Sequence, residues 1–247
     1  MTRRKIKRIH TSDEYNEDYF LTNWGGFEER LQGKVSLRHR RALEYLEVHP
    51  GEIILDVGCA RGEFLQLCGE KGGIIIGLDY SPTAVKISSI WKNENITVIQ
   101  ASATALPFRA GIFAKVTMLD LVEHLDAADL LKCLKEVRRV LKDDGQVLVH
   151  TPNQWGDYAF SVYCKIVSVL RLLFRNLERN PRRYNYSLHV NVLNPISLQR
   201  ILRTAGFKSK MWFSKHPQEA VPYHRVVIDR ILFFLTTMWL RAYKARD

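Results

Sequence analysis

The residues best suited to chemistry fall into three short groups. The first is Asp56, Gly58, Cys59, Ala60 and Gly62, within Ile54-Leu55-Asp56-Val57-Gly58-Cys59-Ala60-Arg61-Gly62-Glu63-Phe64. Glycines at both ends of that turn permit tight bending and close approach of backbone to a ligand. The second is Asp79, an acid about twenty residues further on, where it can accept hydrogen bonds from ribose hydroxyls. The third is Asp120, Glu123 and His124, whose side chains can move a proton or hold a cation. His150 and His189 add two imidazoles. A glycine turn followed by a spaced acid fits any adenosine-type cofactor, nicotinamide dinucleotides included. The dinucleotide fingerprint, however, wants a third glycine three residues after the second, and this turn has nothing of that kind to cradle a pyrophosphate.

Elements must bring these groups to one edge. Ile53 to Val57 reads as a short buried strand after the Pro50-Gly51 turn. A helix near 62–70 follows, then Ile74 to Leu78 as a second strand ending at Asp79. Ser81-Pro82 opens a helix running to about Trp91, with Ser as cap and Pro in the first turn. Ile96 to Gln100 and Ala114 to Leu119 read as strands three and four. Residues 127–141 have helical periodicity, Asp143-Asp144-Gly145 reads as a turn, and Gln146 to His150 as strand five. A helix over 195–205, a sixth strand over Phe207 to Phe213, and a last strand over 237–245 complete the alternation. By analogy with known α/β folds, the last strand is expected to insert antiparallel beside the fifth. Before the first strand, residues 27–47 read as one helix with Phe27, Leu31, Val35, Leu43 and Leu46 on its apolar side. The expected class is α/β: a Rossmann-like, doubly wound, mostly parallel seven-stranded sheet with helices on both faces. The chain divides into a basic arm and helical cap (1–47), a cofactor-binding core (48–152), an amphipathic helical insert (153–194) and a C-terminal completion of the core (195–247).

Four ordered blocks carry a family resemblance: LDVGCARGEF, GLDYSPTAV, ASATALPF and LDLVEHL, each at a strand end. In these the chain resembles the class I S-adenosylmethionine-dependent methyltransferases, in particular the type-11 group. The likeness covers roughly residues 50–152 and, more loosely, 190–215. It implies S-adenosyl-L-methionine as cofactor. It places Asp56, Gly58, Cys59, Ala60 and Gly62 around the methionine part and sulfonium, and Asp79 on the ribose. Tyr80 would flank the adenine, Ser102 and Ala103 would border it, and Leu119 and Asp120 would line the floor. The chain departs from the family pattern twice. Ala60 stands where Gly is usual, which is tolerable if that residue keeps a negative φ. Ser102 stands where an Asp usually holds the adenine amino group, and its reach is shorter.

Methyl transfer is an in-line displacement at a carbon activated by a positive sulfur, so alignment and exclusion of water carry most of the rate. A hydroxyl acceptor also needs a base or a metal for its proton. The candidates for catalysis are His124, Asp120 and His189, with His150 as a further imidazole near the acceptor. The arrangement of Asp120, Glu123 and His124 is similar to the E-x-x-E-H metal-binding pattern of ubiquinone-biosynthesis O-methyltransferases, with Asp replacing the first Glu. Many relatives carry Glu-His here with no metal, and none is expected.

The chain has 247 residues and a formal net charge of +11, unevenly placed. Residues 1–8 hold five basic groups and no acid, residues 158–183 hold six against Glu178, and residues 224–247 hold five against Asp229 and Asp247. The cofactor core is near neutral, so the excess charge suits an anionic surface at the periphery. As a helix, 158–177 would set Lys165, Arg171 and Arg175 opposite Val162, Ile166, Leu170, Leu173 and Phe174, a pattern for a membrane interface or a cap over the site. Ile231 to Leu235 in a helix over 224–236 adds a second apolar patch. The four cysteines form no C-x-x-C pair, which fits a reducing cytosol. Residues 1–8 lack the apolar stretch of a secretory signal, and no apolar run reaches the ~18 residues of a membrane span. The expected protein is therefore cytoplasmic, with 158–177 and 224–236 either touching a membrane surface or capping the active site.

The N-terminal YNEDYFLTNWGG and RHRRALEYL also resemble methyltransferases of cell-surface polysaccharide synthesis. Tyr15, Tyr19 and Trp24 would be apolar walls of a lid. The expected function is O-methylation of a small-molecule, lipid-linked or glycan-related acceptor. An RNA methyltransferase and a non-catalytic S-adenosylmethionine-binding protein are the alternatives. Nucleic acid is not the expected partner, because neither an appended RNA-binding module nor an aromatic platform in a basic groove is evident.

Overall fold

The structure is a computed structural model that describes residues 14–23, 27–155, 158, 189–214 and 237–245. Among the described residues there are seven strands: β1 (Ile53–Val57), β2 (Ile74–Asp79), β3 (Ile96–Gln100), β4 (Phe113–Leu119), β5 (Leu141–Pro152), β6 (Phe207–Ser214) and β7 (Thr237–Lys244). They form one sheet in the order β3-β2-β1-β4-β5-β7-β6. Strands β1 to β5 are mutually parallel, and β7 lies antiparallel between β5 and β6. The strand order reverses between β1 and β4, and ligands of open α/β sheets bind beyond the carboxyl ends of the strands at such a reversal.

The described residues form six α-helices: α1 (Phe27–Leu31), α2 (Leu37–Leu46), α3 (Glu63–Glu70), α4 (Pro82–Ser88), α5 (Ala127–Val140) and α6 (Pro195–Thr204). β1 shows how two layers arise. Leu55 and Val57 point into a cluster with Leu130, Leu134 and Val137 of α5 and Leu198 and Leu202 of α6. Ile54 points the other way, into a cluster with Leu46 of α2, Leu65 and Cys68 of α3, and Trp239 of β7. Each strand residue thus alternates between two apolar layers, the expected pattern for a sheet covered on both faces.

Local chemistry sets the helix starts. Ser81 Oγ accepts from Ala84 N at α4, Asp126 Oδ1 from Ala128 N and Asp129 N at α5, and Asn194 Oδ1 from Ser197 N at α6. Each cap satisfies orphan donors of the first turn and contributes about 1 kcal/mol.

The structure corrects two boundaries. The single helix expected over 27–47 is two helices. Gly33, at φ +85°, ends α1 through Lys34 N donating to Glu29 O, and Ser36 Oγ caps α2 by accepting from His39 N. The turn expected at Asp143-Asp144-Gly145 is an irregularity inside β5. The pairing passes from Phe113↔Leu141 to Lys115↔Gln146, so β5 carries extra residues there. Apart from Tyr158, the helices expected over 158–177 and 224–236, with their membrane contacts, lie outside the described residues, as do Trp24 and Cys164. No helix among the described residues is long and apolar enough to cross a membrane.

Candidate active site at the carboxyl edge

The β1–α3 turn is held in a left-handed path. Gly58, Ala60 and Gly62 have φ of +77°, +46° and +78°. The positive angle at Ala60 overturns the expectation that this alanine keeps negative φ. An L-residue in that region carries a steric cost of roughly 1 kcal/mol or more, and hydrogen bonds hold it there. Gly58 N and Cys59 N donate to Leu78 O at 2.7 and 3.0 Å. Ala60 N donates to Asp79 Oδ2 at 2.9 Å, and Ser81 N donates to Asp79 Oδ1 at 2.9 Å. Asp79 thus fastens the glycine turn to the end of β2. Burial raises its pKa against the lowering effect of those N–H donors.

Space adds to φ at two glycines, loosely at Gly58 and firmly at Gly62. A Cβ on Gly58 would sit 3.0 Å from Leu121 Cδ1. One on Gly62 would sit 2.8 Å from both Ser88 Cβ and Trp91 Cδ1, so Gly62 serves helix packing beneath the turn. Cys59 and Leu119 are buried in the apolar layer on the α2–α3 side. Tyr80 is exposed at the rim, and Ser102 Oγ shares a 2.8 Å hydrogen bond with Thr104 Oγ1 while Ala103 packs at the edge of the other layer.

Asp56 is buried on β1 beside its register partner Thr117, whose hydroxyl donates to Asp56 Oδ1 at 2.5 Å. Burial pushes its pKa up to about 7, partly opposed by the Thr117 hydrogen bond.

Asp120 leaves β4 at φ +57°. Its two oxygens face protein groups: one pairs with Arg38 of α2, and the other lies 2.5 Å from His150 Nδ1. His150 packs against Trp239, with ring centroids 4.4 Å apart. Asp120 therefore ties α2, β4 and β5 together at this edge. Arg38 was not singled out in the sequence, because a contact between positions 82 apart has no local signature.

Glu123 and His124 lie on the short 3-10 turn Val122–His124. Glu123 is buried, with Thr151 Oγ1 donating to its Oε2 at 2.9 Å. Burial, then the nearby Asp120 charge, raises its pKa well above the usual range. Val190 N and Asn191 N both donate to Glu123 O, at 2.9 and 3.1 Å. That places the His189 ring 5.1 Å from the His124 ring at 89°. Burial lowers the His189 pKa, which favours the neutral imidazole.

Tyr15 spans this edge. Its hydroxyl is 3.1 Å from His124 Nδ1, and its carbonyl accepts from Ser81 Oγ at 2.8 Å. Its ring packs edge-on against Tyr19. Arg61, buried in the glycine turn, donates to Phe20 O at 3.0 Å and pairs with Glu63 at 2.6 Å. The segment around Tyr15 is therefore anchored both at the Asp79 end and at the His124 end. Tyr15 and Tyr19 read from sequence as apolar walls; the polar contacts of Tyr15 were not foreseen.

Comparison with known proteins agrees with this architecture. A family model described as a methyltransferase domain matches residues 27–209. A demethylmenaquinone methyltransferase of Lactococcus lactis is 29% identical over 187 residues, covering 70% of this chain and 72% of that one. An 18S rRNA (guanine(1575)-N(7))-methyltransferase of Saccharomyces cerevisiae is 32% identical over 102 residues, covering 41% and 36%. A solved SAM-dependent methyltransferase of Archaeoglobus fulgidus shares the fold at a TM-score of 0.59 and 24% identity, covering 88% and 98%. Two further curated relatives, 33% and 38% identical, are matched over 60% and 51% of their own length. The matched region includes all five parallel strands, the glycine turn and the acid that fastens it, and the chain belongs to the class I S-adenosylmethionine-dependent methyltransferase family.

Proposed function

We propose that this protein transfers the methyl group of S-adenosylmethionine to a hydroxyl oxygen of a small-molecule, lipid-linked or glycan-related acceptor. The observation that carries the reading is the pairing of His124 and His189, held next to Glu123 and joined to the Asp79 end of the cleft through Tyr15. In the reaction an acceptor oxygen lone pair attacks the methyl carbon and the carbon–sulfur bond breaks. The sulfur keeps the bond pair and becomes a neutral thioether. The cofactor supplies that reactivity. The chain's part is to hold the two reactants in line and to handle the proton leaving the hydroxyl.

Asp79 and the turn Gly58–Gly62 are assigned to the nucleoside and methionine parts of the cofactor, with Asp56 beneath them. His124 and His189 are assigned to the acceptor's proton. Asp120, committed to Arg38 and His150, acts by positioning. The amphipathic pattern of 158–177 supports an acceptor presented at a lipid surface.

RNA is the second reading, favoured by the +11 charge and by the yeast relative whose name gives an rRNA guanine as its target. A methyl group on guanine N7 needs no base, so that acceptor leaves the two imidazoles without a task. Labelled S-adenosylmethionine incubated with lipid, polysaccharide and RNA fractions separates the readings. The expected product is a base-stable methyl ether in the lipid or glycan fraction. Label appearing only in RNase-sensitive material refutes the proposal.

A further inference from the structure

We infer that Arg38 is a positioning residue for the methyl-transfer cleft: through Asp120 it holds the left-handed turn at the end of β4 that seats Leu121 against Gly58. Asp120 takes φ +57°, where a residue other than glycine carries a steric cost and persists only if its surroundings fix it. Three contacts help to fix it. Its backbone N donates to His150 O at 2.9 Å, one carboxylate oxygen lies 2.5 Å from His150 Nδ1, and the other accepts from Arg38 Nη1. The first two come from the neighbouring strand β5, and the third brings in α2 from the N-terminal side of the sheet.

The turn made at Asp120 decides where the next residues lie. Leu121 Cδ1 stands 3.0 Å, and its Cβ and Cγ 3.4 Å, from where a Cβ on Gly58 would be, so Leu121 walls the first glycine of the β1–α3 turn. The Leu121 carbonyl accepts from His124 N at 3.0 Å and opens the short turn that carries Glu123 and His124. The residue after the left-handed position thus borders one end of the cleft and starts the other.

Arg38 is itself held in place. It lies in the first turn of α2, which Ser36 Oγ caps, and its Nη2 is 3.1 Å from His39 Nε2. A guanidinium only donates, so that ring nitrogen accepts and His39 is neutral. Burial, then the Arg38 charge, lowers the His39 pKa well below its usual range, in agreement. The side chains of Arg38 and Asp120 are 22% and 13% exposed, so removing the cation strips a largely buried carboxylate of that partner.

The inference rests on the assignment of the cofactor to the Gly58–Gly62 turn. Calorimetry of S-adenosylmethionine binding tests it in a cycle of variants, with urea denaturation confirming that each is folded. Arg38→Met is expected to weaken binding about 10-fold, within the range of couplings inside one ion-pair network. Arg38→Lys, unbranched like Met but charged, is expected to recover part of that loss, which a role in packing alone would not give. Asp120→Gly takes positive φ freely and needs no counter-ion, so in that background Arg38→Met is expected to change affinity less than about 2-fold. Equal losses in the two backgrounds would make Arg38 act on the cofactor directly and overturn the inference, as would unchanged affinity in Arg38→Met. If Arg38→Met does not fold, Arg38→Lys is read in the same two backgrounds, with a loss expected only beside Asp120. Asp79→Ala separates the two claims. Affinity indifferent to that change removes the cofactor from the glycine turn, whereas sensitivity to it with indifference to Arg38→Met removes the role of Arg38 alone.

Discussion

Asp56 offers a test in which the sign and the size both follow from its surroundings. Its carboxyl is buried under the glycine turn, and burial lifts its pKa from 3.8 to about 7. Between those values the folded chain keeps a proton that the unfolded chain has released. Stability is therefore fully present below pH 3.8, declines as pH rises, and stops declining above about pH 7. At about 1.4 kcal/mol per unit, the span from pH 5 to pH 8 includes two units of that decline, so Asp56 alone removes on the order of 3 kcal/mol there. Asp56→Asn keeps an oxygen to accept the Thr117 hydroxyl and has no charge to bury. Urea denaturation at pH 5 and pH 8 is the assay, with the m-value checked for constancy. The buried Glu123 and the raised Asp79 slope in the same direction in both proteins, so only the difference between wild type and variant counts. The variant is expected to lose less stability across this window, by roughly 3 kcal/mol. Equal pH dependence in the two proteins would refute a protonated Asp56 in the folded apo state.

Ala60→Gly removes the Cβ from a residue at φ +46° and is expected to stabilise the chain by about 0.5–1 kcal/mol after the entropy of the added glycine is subtracted. A fall in thermal midpoint would show that the turn holds no strain. Asp79→Ala leaves Ala60 N and Ser81 N without their carboxylate and should weaken S-adenosylmethionine at least about 10-fold, or about 1.4 kcal/mol, by calorimetry. Unchanged affinity would take the acid out of the cofactor cradle. Co-sedimentation with anionic vesicles at low salt should retain the full chain and release it as salt rises, since screening shortens to about 10 Å at 0.1 M. A chain lacking 158–180 that sediments equally well would remove the basis for a membrane role of that segment.

The parallel half of the fold was legible because each strand is a short apolar run closed by a turn signal. Ile96–Gln100 was read to the residue, and β2 ended at the expected acid. The helix over 27–47 failed for a local reason. Its apolar spacing continues through Gly33 and Ser36, and periodicity outweighed a stop signal and a cap that were both present. The Asp-Asp-Gly segment failed for a longer-range one, because β4 extends it as strand by pairing with Leu141. At the candidate site, the strand-end motifs mark Gly58, Gly62, Asp79, Glu123 and His124, which the fold gathers at one edge. Contacts that depend on tertiary pairing carry no such mark. Arg38 meets Asp120 across 82 positions, and Tyr15 meets His124 across 109, with no spacing rule to connect them.

The acids at this edge make sense as a group. Asp56, Asp79 and Glu123 are each held above their ordinary pKa, first by burial, and Asp79 and Asp120 add their charge to Asp56 and Glu123 respectively. Asp120 is neutralised directly by Arg38, but Asp56 and Glu123 are held by the hydroxyls of Thr117 and Thr151, which bring no positive charge. A raised pKa favours the protonated, neutral carboxyl, which lowers the cost of burying Asp56 and Glu123 beside other acids. A positive centre nearby would favour the ionised form instead. The cofactor assigned to the Asp56–Asp79 end carries a sulfonium, so its binding would draw the proton from Asp56, and the neutral thioether left after methyl transfer would let that proton return.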